Sequence, residues 1–224
     1  TSVPAPDSSG SGRAAAPALR LLLASSNPGK LREFRILASE DTTSPAVELD
    51  LLPNFSQLPA FDETAPTFAE NAAGKALHYS RFTDLPVFAD DSGLVVDGLG
   101  GAPGVHSARY AGANASDADR VNRLLEELRV TNSSRRSARF VCVLALAHHG
   151  RILAVFSDAV EGEIAEAPRG TGGFGYDPVF LIPALGKTFA EIPGDSKNLT
   201  SHRGKAFRRL LAWGRPILVA HCQM

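Results

Sequence analysis

Two adjacent carboxylates stand at the end of a short apolar run. The run covers residues 86–89, and Asp90 and Asp91 follow it directly, with Ser92 and Gly93 next. A pair of acids at the end of an apolar strand is costly to bury unless a positive charge lies beside it. A divalent cation bound by hard oxygen ligands meets that need. The pair therefore predicts a cation site, although an isolated Asp-Asp-Ser-Gly sequence is more often a plain turn.

A phosphate-binding loop is indicated near the start of the chain. Residues 19–24 form an apolar run typical of a buried strand, and the small polar loop of residues 25–30 follows it. Asn27 can cap the next helix, and Pro28 suits its first position. A strand, a polar loop and a helix N-terminus in this order bind phosphate well, and Lys30 adds a positive charge.

A glycine-rich loop covers residues 169–178, with the sequence RGTGGFGYDP. Its GTGGFG segment formally matches a dinucleotide-binding fingerprint, but an apolar run follows rather than a helix, so we reject that interpretation. Glycines let the backbone approach a ligand closely, and Phe174 and Tyr176 could form a wall against a flat group. A plain turn is the alternative.

A cluster of basic residues falls within one predicted helical turn. It contains His202, Arg203 and Lys205, and Lys197 comes just before it. A solvated basic face is the ordinary interpretation of such a run. The alternative is a charge cluster that binds an anion or a carbonyl oxygen.

The elements that would carry these residues mix strands and helices without strict alternation. Thr67 and Glu70 form a capping-box pattern that predicts a helix running towards Thr83, with Lys75 on it. The other predicted elements are a strand at residues 47–52, an amphipathic helix at 117–129, a hairpin of 139–147 and 152–158, a strand at 160–165, a helix at 202–213 and a last strand at 217–220. This order favours an α/β or α+β sheet with both parallel and antiparallel pairs.

Composition and length bound the class of protein. The 224 residues suit one domain, and we expect residues 1–17, rich in Ser, Pro, Ala and Gly, to be a disordered tail before a single domain of residues 18–224. The net charge of −1 provides no basic field for nucleic acid. No apolar stretch approaches the roughly 20 residues that span a bilayer, so no membrane partner is expected. The two cysteines, Cys142 and Cys222, best fit a reduced, cytoplasmic setting.

In combination, these motifs resemble one family. The chain contains, in the order typical of the Ham1/RdgB-like inosine triphosphate pyrophosphatases, the segments SSNPGK, TFAENAAGKA, FADDSGLVVDGLGGAPGVHSARYAG, GTGGFGYDPVF, GKTFAE and SHRGKAF. The resemblance covers residues 19–211. It implies hydrolysis of non-standard purine nucleoside triphosphates (ITP, dITP, XTP) to the nucleoside monophosphate and pyrophosphate, which cleanses the nucleotide pool. It also implies Mg²⁺ as cofactor, a homodimer, and an elongated, twisted mixed β-sheet flanked by helices, with the nucleotide cleft between two lobes.

The resemblance also implies roles for individual residues. Asp91 resembles the general base that activates a water at the α-phosphorus. Mg²⁺ would be bound by Glu63 and Asp91, with Asp90 as a further residue at the metal. The residues implied to contact substrate are Ser25, Ser26, Asn27, Pro28, Gly29, Lys30 and Lys75 on the phosphate side, Ser92 beside the general base, and Phe174, Gly175, Tyr176, Asp177, Lys197, His202 and Arg203 around the base and sugar.

The physical chemistry agrees with these roles. Hydrolysis between the α- and β-phosphates needs charge neutralisation and a positioned water, which a cation, lysines and a carboxylate supply. Mg²⁺ suits few carboxylates together with phosphate oxygens and water. Arg203 and His202 can donate to a 6-keto oxygen, whereas the 6-amino group of adenine would leave buried donors unpaired. The same reasoning does not explain discrimination against GTP, which also carries a 6-keto group.

Two other functions remain open from the sequence. A Maf-like pyrophosphatase would act on pyrimidine or modified nucleotides, but the SHRGK and GTGGFGYDP segments argue against it. A nucleotide-binding module without catalysis would not need the acidic residues Glu63, Asp90 and Asp91. A panel of nucleotides assayed for pyrophosphate release separates the three functions.

Overall fold

The computed structural model describes residues 18–43, 46–132 and 134–221 of the chain. The predicted tail of residues 1–17 and Cys222 lie outside the described residues. The described strands are β1 (Leu19–Leu23), β2 (Val47–Leu51), β3 (Val87–Val96), β4 (Ser137–His148), β5 (Arg151–Ile164), β6 (Phe180–Ile182) and β7 (Lys187–Thr188). The described α-helices are α1 (Pro28–Glu40), α2 (Phe68–Tyr79), α3 (Asp117–Val130), α4 (Gly194–Thr200) and α5 (His202–His221).

The described strands form one mixed sheet in the order β2-β1-β3-β4-β5-β6-β7. β1 runs parallel to both β2 and β3, and the other neighbouring pairs are antiparallel. Parallel neighbours need a long crossover, and α1 and α2 lie in the segments that connect β1 to β2 and β2 to β3. The mixed α/β class expected from the sequence is therefore confirmed.

β3 continues through the carboxylate pair. The sequence predicts a strand that ends before Asp90, and this prediction is wrong. Every residue of β3 pairs with one of β4, from Val87 opposite Ala147 to Val96 opposite Ala138. Because this long antiparallel partner keeps the chain extended, Asp90 and Asp91 lie in the middle of the strand, where neighbouring side chains point to opposite faces.

Three apolar cores cover the sheet, and β3 contributes to all of them. The core formed with α1 and α5 contains Phe88, and the core formed with α2 contains Ala89. The third core, formed with α3, contains Leu94. β3 therefore passes from the lobe that is packed by α1, α2 and α5 to the lobe that is packed by α3. Residues 90–93 lie where the two lobes meet.

Local patterns predicted the central elements well. Thr67 caps α2 by accepting from the Glu70 N–H, and Ser116 caps α3 by accepting from the Asp119 N–H. The predicted hairpin is confirmed as β4 and β5, which are joined through a turn at residues 149–150. The predicted strand at residues 160–165 is not separate, because β5 extends to Ile164 without a break.

The end of the described chain differs from the prediction. The last strand expected at residues 217–220 is wrong, because α5 continues from His202 to His221. A four-residue apolar run does not distinguish a strand from a helix by its period. Within the described residues no helix, α5 included, has the length and apolar composition to cross a membrane.

Candidate active site

The two carboxylates of β3 are buried on opposite faces of the sheet. The partners of Asp90 come from α1 and α5. Asp91 faces Asn71 of α2 and Glu63 in the loop before α2. Their relative exposures are 1% and 7%, so neither charge is solvated by bulk water. The two acids therefore have separate environments and separate chemistry.

Asp90 joins two cations from distant parts of the chain. Its carboxylate is ion-paired with Lys30, and its Oδ2 lies 3.5 Å from Nε of Arg203. Ser92 Oγ donates a hydrogen bond to the same oxygen. Burial would raise the pKa of Asp90, but the charges of Lys30 and Arg203 hold that pKa far below its ordinary value. Asp90 is thus a fixed anion that clamps two cations; its metal role stays a prediction that these contacts do not favour.

Asp91 lies beside a second acidic side chain. Burial, followed by the negative charge of Glu63, raises the pKa of the Asp91 carboxyl to about 6, while a hydrogen bond with Asn71 acts in the opposite direction. Glu63 is itself ion-paired with Lys75. In the described part of the chain, Asp91 Oδ2 is buried and has no hydrogen-bond partner. A buried carboxylate oxygen without a partner, next to a second carboxylate, fits a divalent cation.

A cation bound at Asp91 and Glu63 would have few protein ligands. Among the described residues, no group of three His, Cys, Asp or Glu side chains is arranged to hold a metal ion. A hard divalent cation accepts such a site when it keeps waters and takes further oxygens from substrate phosphates. The residues present therefore fit a cation that is completed by a phosphate ligand.

The predicted phosphate loop has the expected helix N-terminus. Asn27 Oδ1 accepts from the N–H groups of Gly29 and Lys30, at 2.8 Å and 3.3 Å. Ser25 Oγ in turn accepts from the Asn27 N–H at 3.1 Å, and Pro28 occupies the first helical position. Ser26 is exposed in the same loop. The capped start of α1 thus presents its positive end and Lys30 to an anion.

The glycine-rich loop folds around the carboxylate of Asp177. Asp177 Oδ2 accepts from the Phe174 N–H at 2.9 Å and from Lys197 Nζ at 2.6 Å. Gly173 has a φ of +72°, and a Cβ at this position would lie only 1.9 Å from Asp177 Oδ2. The loop therefore needs glycine at position 173 for both its backbone conformation and its closeness to Asp177.

Lys197 and Arg203 stand between this loop and α1. Lys197 Nζ lies 5.4 Å from the ring centre of Phe174, and Arg203 Cζ lies 5.5 Å from it. Both cations also contact Glu33 of α1, Lys197 at 3.6 Å and Arg203 in a closer ion pair. Two buried cations beside an aromatic ring form a slot suited to a flat, electron-rich group.

His202 completes this wall in a neutral state. Its ring stacks on Phe140 with centroids 4.9 Å apart and an interplanar angle of 9°. Burial, together with the nearby charges of Arg203 and Lys197, holds the pKa of His202 well below its ordinary value. His202 Nδ1 is buried and has no hydrogen-bond partner among the residues described. The ring therefore offers a polar atom to a ligand in the slot.

One cleft of about 400 Å³ unites the phosphate loop with these base-side residues. Of the predicted substrate residues, its lining contains Asn27, Pro28, Gly29, Lys30, Ser92, Phe174, Gly175, Tyr176, Asp177, Lys197, His202 and Arg203. The other predicted residues do not form part of this lining in the described structure: Ser25, Ser26, Glu63, Lys75, Asp90 and Asp91. Asp90 is held between the lining residues Lys30 and Arg203, and Asp91 directly precedes the lining residue Ser92.

Several residues that line the cleft or contact its lining are absent from the sequence prediction. Glu33 follows Lys30 by one helical turn, so its i,i+3 spacing on α1 could have indicated it. Phe140, Asp117 and Arg120 line the cleft, but they belong to distant elements and carry no local signal. Only the packing of β4 and α3 against the cleft identifies them.

Comparison with known sequences identifies relatives over most of the chain. The sequence profile described as the Ham1 family matches residues 21–213. A relative from Geobacillus kaustophilus, named dITP/XTP pyrophosphatase, is 52% identical over 190 residues, which cover 85% of this chain and 91% of the relative. A protein of the same name from Methylococcus capsulatus is 47% identical, covering 84% of this chain and 92% of that protein.

Solved structures agree with these relatives. The structure of a HAM1 protein from Coxiella burnetii superposes with a TM-score of 0.77 at 44% identity, covering 87% of this chain and 97% of that one. The crystal structure of a nucleoside-triphosphatase, also titled dITP/XTP pyrophosphatase, from Mycobacterium abscessus gives a TM-score of 0.65 at 38% identity. It covers 86% of this chain and 98% of its own.

Proposed function

The chain belongs to the Ham1 family, and we propose that it hydrolyses the non-standard purine nucleotides dITP, ITP and XTP to the nucleoside monophosphate and pyrophosphate. The observation that carries this function is the single cleft with a phosphate loop on one wall and an aromatic, cationic slot on the other. Asp90 links the two walls, because it binds Lys30 of the phosphate loop and Arg203 of the slot.

The phosphate side neutralises the triphosphate. Lys30 reaches the cleft from the first turn of α1, and the helix N-terminus adds partial positive charge. Lys75 of α2 is ion-paired with Glu63 and assists at the phosphates once substrate separates it from Glu63. Fixed positive groups of this kind stabilise the charge that develops during phosphoryl-type transfer.

Asp91 is the proposed general base. A water attacks the α-phosphorus, the bond from that phosphorus to the bridging oxygen breaks, pyrophosphate leaves, and the proton of the water passes to Asp91. In the metal-free protein the pKa of Asp91 is about 6, and the positive charge of a bound cation would lower it, so the carboxylate is ionised at neutral pH and able to accept a proton. Asp91 and Glu63 would hold Mg²⁺, which when bound neutralises triphosphate charge and polarises the reacting phosphate.

The slot recognises the purine base by its hydrogen-bonding groups. Lys197 and Arg203 donate, and neutral His202 offers one donor and one acceptor nitrogen. A 6-keto purine presents an acceptor to these donors, whereas the 6-amino group of adenine presents a donor. The mismatch leaves buried donors unpaired, which can reduce the specificity constant by roughly 10⁴-fold. The ring of Phe174 supplies the stacking surface.

A nucleotide panel tests this function. Purified protein with Mg²⁺ is incubated with dITP, ITP, XTP, GTP, ATP and dTTP, and both pyrophosphate and orthophosphate are measured. We expect pyrophosphate from the first three and little from ATP or dTTP. Orthophosphate as the main product, or equal rates on ATP, would contradict the proposal. Preference for dTTP would instead support the Maf-like alternative, and calorimetric binding without turnover would support a binding module.

The remaining properties of the protein are also proposals. Mg²⁺ dependence rests on the site at Asp91 and Glu63, and loss of turnover in a chelator with recovery on adding Mg²⁺ tests it. A homodimer and a single domain of residues 18–224 rest on the family resemblance, and light scattering of the purified chain tests the dimer. A cytoplasmic location rests on the cysteine usage, and cell fractionation tests it.

A further inference from the structure

The first residue of α3 reaches into the base-side loop. Asp117 Oδ2 accepts a hydrogen bond from the Gly175 N–H at 2.7 Å, although the two residues are 58 positions apart. Gly175 has a φ of +63° and follows Phe174, the residue whose ring faces Lys197 and Arg203. Asp117 and Gly175 both line the cleft. A surface helix thus contacts the backbone of the loop that forms one wall of the slot.

The second oxygen of Asp117 joins a wider set of contacts. Asp117 Oδ1 is ion-paired with Arg120, whose side chain is 17% exposed. Arg120 Nη1 also donates to the carbonyl oxygens of Ala108 and Ala115, at 3.0 Å and 2.7 Å. Ala108 belongs to the 3₁₀ turn Gly104–Arg109, which also lines the cleft. The Asp117–Arg120 pair therefore connects α3, this turn and the base-side loop.

The hydrogen bond from the Gly175 N–H to Asp117 differs from the hydrogen bonds that the neighbouring residues make within the loop. The N–H of Phe174 donates to Asp177, and the N–H of Asp177 donates back to the Phe174 carbonyl. These bonds shape the loop internally but do not fix it to the rest of the protein. Tyr176 Oη, which donates to the Ser107 carbonyl at 2.9 Å, ties the loop to the 3₁₀ turn. Asp117 supplies a further contact at the adjacent residue, and the Gly172 N–H also fixes the loop by donating to the Ala190 carbonyl at 3.0 Å.

We propose that Asp117 is a positioning residue for substrate binding: by holding Gly175 it sets the distance between the Phe174 ring and the cations Lys197 and Arg203. The effect on substrate binding rests on the proposed function, in which the purine base binds in the slot between the ring and the cations. Asp117 acts through the loop and not on the reacting phosphate. Its loss therefore affects KM more than kcat.

The first turn of α3 offers a matched control. Asp119 is also acidic and accepts from the N–H and hydroxyl of Ser116, which completes the capping box. A general effect of negative charge at the helix N-terminus would act through both acids alike. Of these two acids, Asp117 alone contacts the loop in the described structure. Asp117→Ala and Asp119→Ala therefore separate positioning of the loop from stabilisation of the helix.

Amide hydrogen exchange tests the contact without reference to activity. Exchange is measured by mass spectrometry on a peptide covering residues 170–178 in wild type, Asp117→Ala, Asp117→Asn and Asp119→Ala. We expect faster exchange in Asp117→Ala, near wild-type exchange in Asp117→Asn, whose side-chain oxygen still accepts, and wild-type exchange in Asp119→Ala. Wild-type exchange in Asp117→Ala would overturn the proposal.

Steady-state kinetics with dITP and Mg²⁺ test the consequence. Because one partly exposed hydrogen bond is lost, we expect Asp117→Ala to raise KM by about three- to tenfold with kcat within about twofold of wild type. Asp117→Asn should recover most of that KM, and Asp119→Ala should lower the melting temperature alone. Equal KM values in both alanine variants would overturn the proposal. If the wild-type protein released no pyrophosphate, that result would contradict the proposed function instead. The exchange comparison would still decide whether Asp117 holds the loop.

Discussion

Asp90 and Asp91 are adjacent in β3, and their carboxylates enter opposite faces of the sheet. Asp90 is compensated by Lys30 and Arg203, whereas Asp91 lies next to the negative charge of Glu63. One strand therefore places a stabilised anion on the side of α1 and α5 and a destabilised carboxylate on the side of α2. The two acids should respond differently to the same substitution.

Asp91→Asn is expected to bind nucleotide but to lose turnover. The amide cannot accept the proton of the attacking water, and general-base catalysis commonly contributes about 100-fold or more. The measurements are kcat from pyrophosphate release and the Kd of dITP by calorimetry. Asp62→Asn is the matched control, because Asp62 is an exposed carboxylate beside Glu63, and it should keep the wild-type kcat. Unchanged turnover in Asp91→Asn would remove Asp91 from the mechanism.

Substitution by asparagine should change the stability of the protein in opposite directions at Asp90 and at Asp91, when stability is measured in a chelator. Asp90→Asn leaves Lys30 and Arg203 without their counter-charge, so we expect the free energy of unfolding to fall by about 3 kcal/mol. Asp91→Asn removes a carboxylate whose pKa is raised by burial and Glu63, so unfolding at pH 7.5 should cost about 1–3 kcal/mol more than in wild type.

The effect of Asp91 on the free energy of unfolding should depend on pH. A folded-state pKa of about 6 against 3.8 in the unfolded chain means that ionised Asp91 destabilises the fold above pH 6. The stability advantage of Asp91→Asn should therefore shrink as the pH falls from 6 towards 4. Denaturant unfolding at several pH values measures it. A pH-independent difference between variant and wild type would contradict this origin.

The features that were predictable from the sequence are those that local patterns specify. The Asn27 cap, the Thr67 capping box and the β4–β5 hairpin all depend on residues within a few positions of one another. The mixed sheet followed from the order of such elements. The extent of β3 could not be predicted from local patterns, because pairing with a distant strand keeps it extended past Asp90 and Asp91.

The site was predictable as a set of motifs but not as a set of contacts. The motifs that line the cleft were identified, yet the separation of Asp90 from Asp91 depends on which way each side chain points from the strand. The partner of Gly175 is Asp117, 58 positions earlier, and no local spacing relates them. Contacts between distant segments form only when the two lobes pack.

Lys75 and Glu63 are ion-paired, although we propose that they bind different ligands, phosphate and metal. Substrate must separate them. Lys75→Met should therefore raise the KM for dITP by about tenfold, because a phosphate contact is lost. In the absence of nucleotide the variant should bind Mg²⁺ more tightly than wild type, because Glu63 is no longer neutralised. Steady-state kinetics measure the KM and calorimetry measures the Mg²⁺ affinity, with Lys187→Met, at an exposed lysine of β7, as control. Unchanged Mg²⁺ affinity in Lys75→Met would contradict this competition.

Gly173→Ala should disrupt the base slot more than its backbone strain alone would. A Cβ at Gly173 would lie 1.9 Å from Asp177 Oδ2, the oxygen that holds Lys197 at 2.6 Å, so the carboxylate must move and release the lysine. We expect the KM for dITP to rise by about tenfold or more, with a smaller change in kcat, because a buried charged hydrogen bond is lost.

Gly186→Ala is the control for Gly173→Ala: the φ of +61° at Gly186 imposes a similar strain of about 1 kcal/mol, but no atom lies within 4 Å of the added Cβ. Thermal unfolding should show both variants destabilised, and kinetics should show a raised KM in Gly173→Ala only. A wild-type KM in Gly173→Ala would show that substrate binding does not need Asp177 to hold Lys197.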